Sequence, residues 1–195
     1  MRILLAAEGG SDEVVAEALI VDRLNEADVV KKTFASRGFP VVRRAVPDVI
    51  RAAYYQWYDG IVIHFDLDNT LPEGWESIEE SSRWSQICDI AHQTHNSLPH
   101  IGRERALRIH LMSPCQSTES WIAWGVHGGD PEYWESHDRH VLKSQLFGDP
   151  PIGMTKKASE MVPSLIQRLH GTDNRPRTLS HFCVTLDQQA EHHAG

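Results

Sequence analysis

Hydrophobic and polar positions follow two different periods along this chain, and the alternation between them sets out its elements. Residues 2–7 form a short apolar run, Ile3-Leu4-Leu5-Ala6-Ala7 after Arg2, of the kind that makes a buried strand. It breaks into Glu8-Gly9-Gly10-Ser11, where the glycines suit a tight turn and Ser11 suits a helix N-cap. From Asp12 to about Glu26, Val14, Val15, Ala18, Leu19 and Val21 recur at helical spacing, with Asp12 and Glu13 favouring the helix dipole. After a break at Gly38, residues 39–46 (Phe-Pro-Val-Val-Arg-Arg-Ala-Val) read as a second strand. Pro47 then suits the first turn of a helix carrying Val49, Ile50, Ala53, Tyr54 and Trp57. Gly60 opens a β-branched run, Ile61-Val62-Ile63-His64-Phe65, that ends in Asp66-Leu67-Asp68-Asn69-Thr70. This run predicts a central strand of a parallel sheet.

Residues 71–82 read as an acidic loop, 83–95 as a helix and 105–112 as another strand. Ser113-Pro114-Cys115-Gln116 makes a turn, and Ser117 or Thr118 caps a helix that includes Glu119, Trp121 and Trp124. Residues 130–147 are mixed, 156–170 and 179–190 read as helices, and the tail from Ala190 reads as frayed. Strands alternating with helices predict an α/β fold with a mostly parallel sheet flanked by helices and a helical C-terminal portion. The division is an α/β core over 1–130 and a helical extension over 131–195 packed on it, within reach of a single domain at 195 residues.

Composition narrows the function. A net charge of −8 provides no whole-protein field to draw in nucleic acid, which counts against a free-standing non-specific binder. Cys88, Cys115 and Cys183 are far apart and form neither a disulfide framework nor a zinc knuckle. The apolar start is too short for a signal peptide, and no run approaches bilayer length, so a soluble, cytoplasmic protein is expected.

The chemistry lies in the acids. Asp66 and Asp68 alternate along extended chain, so they point the same way, roughly 6.5 Å apart at Cα from the strand rise. Two carboxylates that close need a proton or a cation, and a hard divalent ion, Mg²⁺ or Mn²⁺, suits oxygen ligands. Ligands of open parallel sheets bind outside the carboxyl ends of the strands. Glu8 closes the first strand, the aspartate pair closes the central one, and Glu119 follows the later strand by one turn. Three strand ends therefore each bring an acid to one edge.

Glu8-Gly9-Gly10-Ser11-Asp12 opening a helix, with Asp66-Leu67-Asp68 ending an apolar strand, resembles the Toprim domain of topoisomerases, primases, a ribosomal-RNA maturation nuclease and OLD-family nucleases. Met112-Ser113-Pro114 through Thr118-Glu119-Ser120-Trp121-Ile122 is similar to an E-x-W signature in a Toprim-like family encoded beside an OLD-type ATPase. Thr178 to Phe182 is similar, more loosely, to that family's closing segment. The resemblance implies Glu8 as general acid/base, Asp66 and Asp68 as Mg²⁺ ligands, Asp12 as support or further ligand, and Glu119 completing the cluster. A metal pair about 4 Å apart can stabilise the attacking and leaving oxygens of phosphodiester cleavage. The implied protein is a nuclease acting on DNA or RNA, the effector of a two-component anti-phage system whose ATPase is a separate chain. A homodimer is compatible with this, and a membrane plays no part. The sequence has no tyrosine in a topoisomerase-like context and no phosphate-binding G-x-x-x-x-G-K-[ST] loop. Lys156 and Lys157 are candidates for phosphate neutralisation, although a solvated helix start explains them better.

Two other readings compete. Phe65-Asp66-Leu67-Asp68-Asn69-Thr70-Leu71 also resembles the first motif of haloacid-dehalogenase phosphatases, which would make Asp66 a nucleophile. That motif normally ends the first strand of its core, and Gly148-Asp149-Pro150 is a poor partner for it. The other is a non-catalytic interaction subunit, with Trp121 and Trp124 as an interface stripe, though core packing is commoner. His92 with His95 and His137 with His140 have zinc-compatible spacing but lack completing ligands, so exposed helical histidines are expected. His64 is expected to be a core histidine.

Overall fold

The computed structural model describes residues 1–36, 38–68, 75–99 and 107–194. The chain runs β1 (Arg2–Ala7), α1 (Gly10–Arg23), β2 (Asp28–Thr33), α2 (Phe39–Tyr55), β3 (Gly60–His64) and a short 3-10 turn (Ile78–Glu80). It continues through α3 (Ser82–Asn96), β4 (Arg108–Met112), α4 (Thr118–His127), α5 (Pro131–Glu135), α6 (Arg139–Phe147), α7 (Met154–Gly171) and α8 (Arg177–Ala194). The four strands form one parallel sheet in the order β2-β1-β3-β4. Leu4 lies between Val30 and Ile61, and Ile61 pairs onward with Ile109.

Period-two alternation divides the strands between two cores. Ile3, Leu5, Val62 and Met112 face one layer with Leu19, Trp121, Leu165, Phe182 and Leu186. Leu4, Ala6, Ile61, Ile63 and Phe65 face the other with Val46, Ile50, Trp84 and Ile87. One layer is thus α1, α4 and α6–α8, the other α2 and α3. Burying a side chain of this size is worth about 1.5–3 kcal/mol. Residues of the C-terminal helices share the first core with β1 and α1, so they are integral to the sheet's cover. Helix α4 crosses α7 at Gly125, where a Cβ would stand 2.6 Å from Leu165 Cα.

The strand expected at 39–46 is a helix. Val42, Val46, Val49, Ile50 and Ala53 are its buried face, at spacings of four, three, one and three. Pro40 occupies its first turn and Pro47 lies inside it, where the sequence reading had placed a start. The real second strand, Asp28-Val-Val-Lys-Lys-Thr33, is a partly exposed edge with only two apolar residues, too few to announce a strand. Gly9 rather than Ser11 precedes the first helix, which ends at Arg23 rather than Glu26. Helix α8 continues to Ala194, so the tail is not frayed from Ala190. Asn69 and Thr70 after the aspartate pair, residues 71–74 of the expected acidic loop, and 105–106 at the start of the expected last strand lie outside the described residues. Among the described residues no helix is long and apolar enough to cross a membrane.

Candidate functional site

The strand order itself nominates a place for a ligand. From β1 the chain moves outward to β2, then returns past β1 to β3, so the carboxyl ends of β1 and β3 flank a topological switch point. Glu8 directly follows β1 and accepts a hydrogen bond on Oε2 from the Gly38 N–H at 2.9 Å. Helix α1 begins immediately beyond, and its Gly10 is hard against α7: a Cβ there would stand 2.2 Å from Thr155 Oγ1. Past β3, the Phe65 and Leu67 amides donate to the Met112 and Pro114 carbonyls, both at 3.1 Å. Those two side chains are buried in the second core, which turns the intervening Asp66 and the following Asp68 to the opposite side. Asp68 has φ of 46°, a left-handed conformation that aspartate tolerates better than most residues. Glu119, in the first turn of α4, is buried and accepts from the Ser11 hydroxyl at 3.4 Å.

All five sequence-nominated acids, Glu8, Asp12, Asp66, Asp68 and Glu119, line one cavity of about 390 Å³ at this edge. Asp66 is the electrostatic centre. Its carboxyl is held well above the ordinary carboxylate range, first by burial and then by the charges of Asp12, Glu119, Glu8 and Asp68. Its Oδ1 is buried without a hydrogen-bond partner. Below it, on β3, buried His64 brings Nε2 to 3.0 Å from Thr118 Oγ1, 3.6 Å from Asp66 Oδ1 and 3.9 Å from Asp12 Oδ1. The histidine is in the core, as expected, yet its ring nitrogen also touches the acid cluster.

The cations of the site were not legible in advance. Asp68 accepts from Arg83 at 2.7 Å and from Arg139 at 3.2 Å, and Lys143 Nζ is 3.8 Å from Glu119. Arg139 and Lys143 are one turn apart on α6, a helix within the stretch that read as mixed. Their four-residue spacing was the one available signal. Lys156 instead pairs with exposed Glu160 at 4.0 Å, and Lys157 donates to the Phe147 carbonyl. Neither lysine lines the cavity.

Hard oxygen donors converging on an unpartnered buried carboxylate oxygen fit a divalent cation. Among the described residues no three His, Cys, Asp or Glu side chains already stand as a ligand set. The contacts give the reason: Asp68 is turned to two guanidiniums, Glu119 to Ser11 and Lys143, and Glu8 to a backbone amide. His92 contacts Asn96, and His137 contacts the Tyr133 carbonyl, so neither histidine pair is arranged around a metal. Trp121 and Trp124 are both buried, which rules them out as an interface stripe. Trp121 stacks on Phe182 at a centroid distance of 6.4 Å. Comparison of the chain with protein-family models, with curated proteins and with solved structures returns no match.

Proposed function

We propose that the chain is a Toprim-like, divalent-metal-dependent nuclease, cleaving phosphodiester bonds of DNA or RNA. The observation that carries this is Asp66: an acid pressed by four other carboxylates, with one oxygen buried and unpartnered, at the switch point of a parallel sheet. Asp66, Asp68, Asp12 and Glu119 would hold Mg²⁺ or Mn²⁺. When bound, the ion supplies Lewis-acid polarisation of the phosphoryl oxygen. Glu8, anchored by Gly38, is the acid/base group that takes the proton of an attacking water. Arg139 and Lys143 neutralise phosphate from α6, and the α1 N-terminus beside Gly10 offers amides to the same anion.

The phosphatase reading is weaker on one specific point. It needs Asp68 free to meet a leaving group, and both of its oxygens are already engaged by guanidiniums, at 2.7 and 3.2 Å. A separate ATPase partner is part of the proposal, supported by the absent phosphate-binding loop and the net charge of −8.

The test is cleavage of plasmid DNA, tRNA and ribosomal RNA with Mg²⁺ or Mn²⁺, by the chain alone and with any ATPase that co-purifies with it. Glu8→Gln and Asp66→Asn should each abolish cleavage while leaving a folded protein. Cleavage that survives both substitutions, or a chain with neither cleavage nor metal-induced stabilisation, would overturn the proposal.

A further inference from the structure

Beside the acidic cavity lies a groove of opposite character. It is formed between α2 and α3, has a volume of about 710 Å³, and its lining includes Arg43, Arg44 and Arg51 but no carboxylate. All three arginines are exposed. Helical spacing explains the arrangement: from Pro40, positions 44, 47 and 51 follow at four, three and four residues, a single stripe along the helix, with Arg43 beside it. Arg51 pairs with Asp48 at 3.3 Å, and among the described residues neither Arg43 nor Arg44 has a carboxylate partner. The facing wall from α3 presents Gln93 and Thr94, hydrogen-bonding groups of no net charge.

In a chain of net charge −8, three guanidiniums gathered in one acid-free groove point to an anionic ligand. Its length points to a polymer, since Pro40 to Arg51 spans about 16 Å at 1.5 Å per residue. Its position selects which polymer. Helix α2 starts directly after Gly38, which lines the acidic cavity and binds Glu8, while Pro40, two residues on, lines the groove. A strand with a phosphodiester in the cavity would therefore continue along α2 past the arginines. We propose that the α2/α3 groove binds the phosphate backbone of the nucleic-acid strand whose scissile bond lies in the carboxylate cavity.

This inference rests on the nuclease reading and assigns the substrate's path. Arginine suits that task because its planar fork matches phosphate oxygens. The groove also explains how a strongly acidic chain can hold such a substrate: attraction is confined to one track, and affinity should be modest and salt-sensitive.

The experiment uses the full chain carrying Asp66→Asn, so that nothing is cleaved, and a fluorescein-labelled single-stranded oligonucleotide read by anisotropy. The three arginines should contribute about −2 to the slope of log affinity on log salt, at about −0.7 per contact, beyond what Arg139 and Lys143 add. Adding Arg43→Gln, Arg44→Gln and Arg51→Gln together should weaken binding at least tenfold and flatten that slope. A polyglutamate peptide of matched length serves as competitor and should fail to displace the oligonucleotide. Unchanged binding in the triple variant, no binding by the parent chain, or preferential binding of polyglutamate would each overturn the proposal, the last in favour of an acidic protein partner. Mg²⁺-induced thermal stabilisation, measured on the arginine variant with Asp66 intact, reports on the cavity alone. If it is present while the parent chain binds no oligonucleotide, the groove is condemned; if it is absent, the metal reading is.

Discussion

The Asp68 carboxylate accepts a hydrogen bond at 3.2 Å from Arg139, a residue 71 positions further along the chain. With Arg83 on its other oxygen at 2.7 Å, Asp68 is neutralised by protein rather than left for an incoming ion. Metal binding must compete with these guanidiniums. Arg139→Gln should therefore tighten Mg²⁺ binding, by about two- to fivefold if the partly exposed pair is worth up to ~1 kcal/mol. The same change should weaken substrate affinity, since Arg139 is a phosphate neutraliser in the proposed site. Calorimetric titration of Mg²⁺ into the variant checks the first half; weaker metal binding than in the parent would show that Arg139 supports the site instead of opposing the ion.

Asp66 makes a prediction about stability with a definite sign. Its carboxyl is raised in the folded chain, chiefly by burial and by Asp12 and Glu119, so the native state binds this proton more readily than the unfolded state. As pH rises from the ordinary aspartate value through the raised one, the metal-free protein loses stability, and the loss is complete above that window. Asp66→Asn removes the penalty. The metal-free variant should melt higher than the parent at neutral pH, by about 2–4 °C per kcal/mol relieved in a chain of this size. It should also lose the stabilisation that Mg²⁺ confers on the parent. A thermal melt with and without Mg²⁺ reads both effects, and a variant that melts lower without metal would show that the charge cluster carries no strain.

What could be read from the chain was set by where the signals were strong. The β1 and β3 runs and the acids that end them were legible because buried parallel strands are continuous and their carboxyl ends are abrupt. Strand β2 was hidden because an edge strand with one wet side carries little apolar pattern, and Val41-Val42 after a proline imitated one instead. At the site, Glu8, Asp66, Asp68 and Glu119 stood out through their place next to strands. Arg83, Arg139 and Lys143 did not, because nothing local distinguishes a helix-borne cation that reaches a distant acid from one that faces water. Lys156 and Lys157, read in preference as a solvated helix start, do stand in the first turn of α7, with Glu160 and the Phe147 carbonyl as their partners.

His110 predicts the opposite pH slope. It is buried on β4 with Nε2 against the Gln189 side chain of α8, and its Nδ1 is buried without a partner. Burial pushes its pKa down to about 4, with Arg108 adding to the shift and the Gln189 contact opposing it. Between the ordinary histidine value near 6.5 and about 4, the unfolded chain binds more protons than the native one. Stability should fall as pH drops through that window, by about 3 kcal/mol in full, at ~1.36 kcal/mol per pKa unit. His110→Asn should flatten this acid limb in urea titrations taken at successive pH values. An unchanged limb would place the acid sensitivity elsewhere.

The start of α8 rests on a buried acid. Glu135, at the end of α5, accepts on Oε2 from the Arg177 N–H at 3.0 Å, and on Oε1 from the Thr178 N–H at 3.2 Å and the Thr178 hydroxyl. Thr178 Oγ1 in turn accepts from Trp121 Nε1 at 3.0 Å, which ties α4, α5 and α8 together in one network. Burial raises the Glu135 carboxyl, and the hydrogen bonds from Thr178 and Arg177 counter that rise. Because both oxygens accept, the isosteric Glu135→Gln is not a mild change: its NH₂ must face an N–H donor at one position or the other. It should cost about 1–3 kcal/mol, the penalty of a buried polar group left without its partner. Thr178→Val should cost a similar amount by stranding the Trp121 N–H. The pair should be non-additive by about 0.5–3 kcal/mol, because each substitution already breaks the bond the other would remove. Urea unfolding of the two single variants and the double variant measures this coupling. Additive costs would mean that the carboxylate and the hydroxyl act separately, and that α8 is held by its apolar face alone.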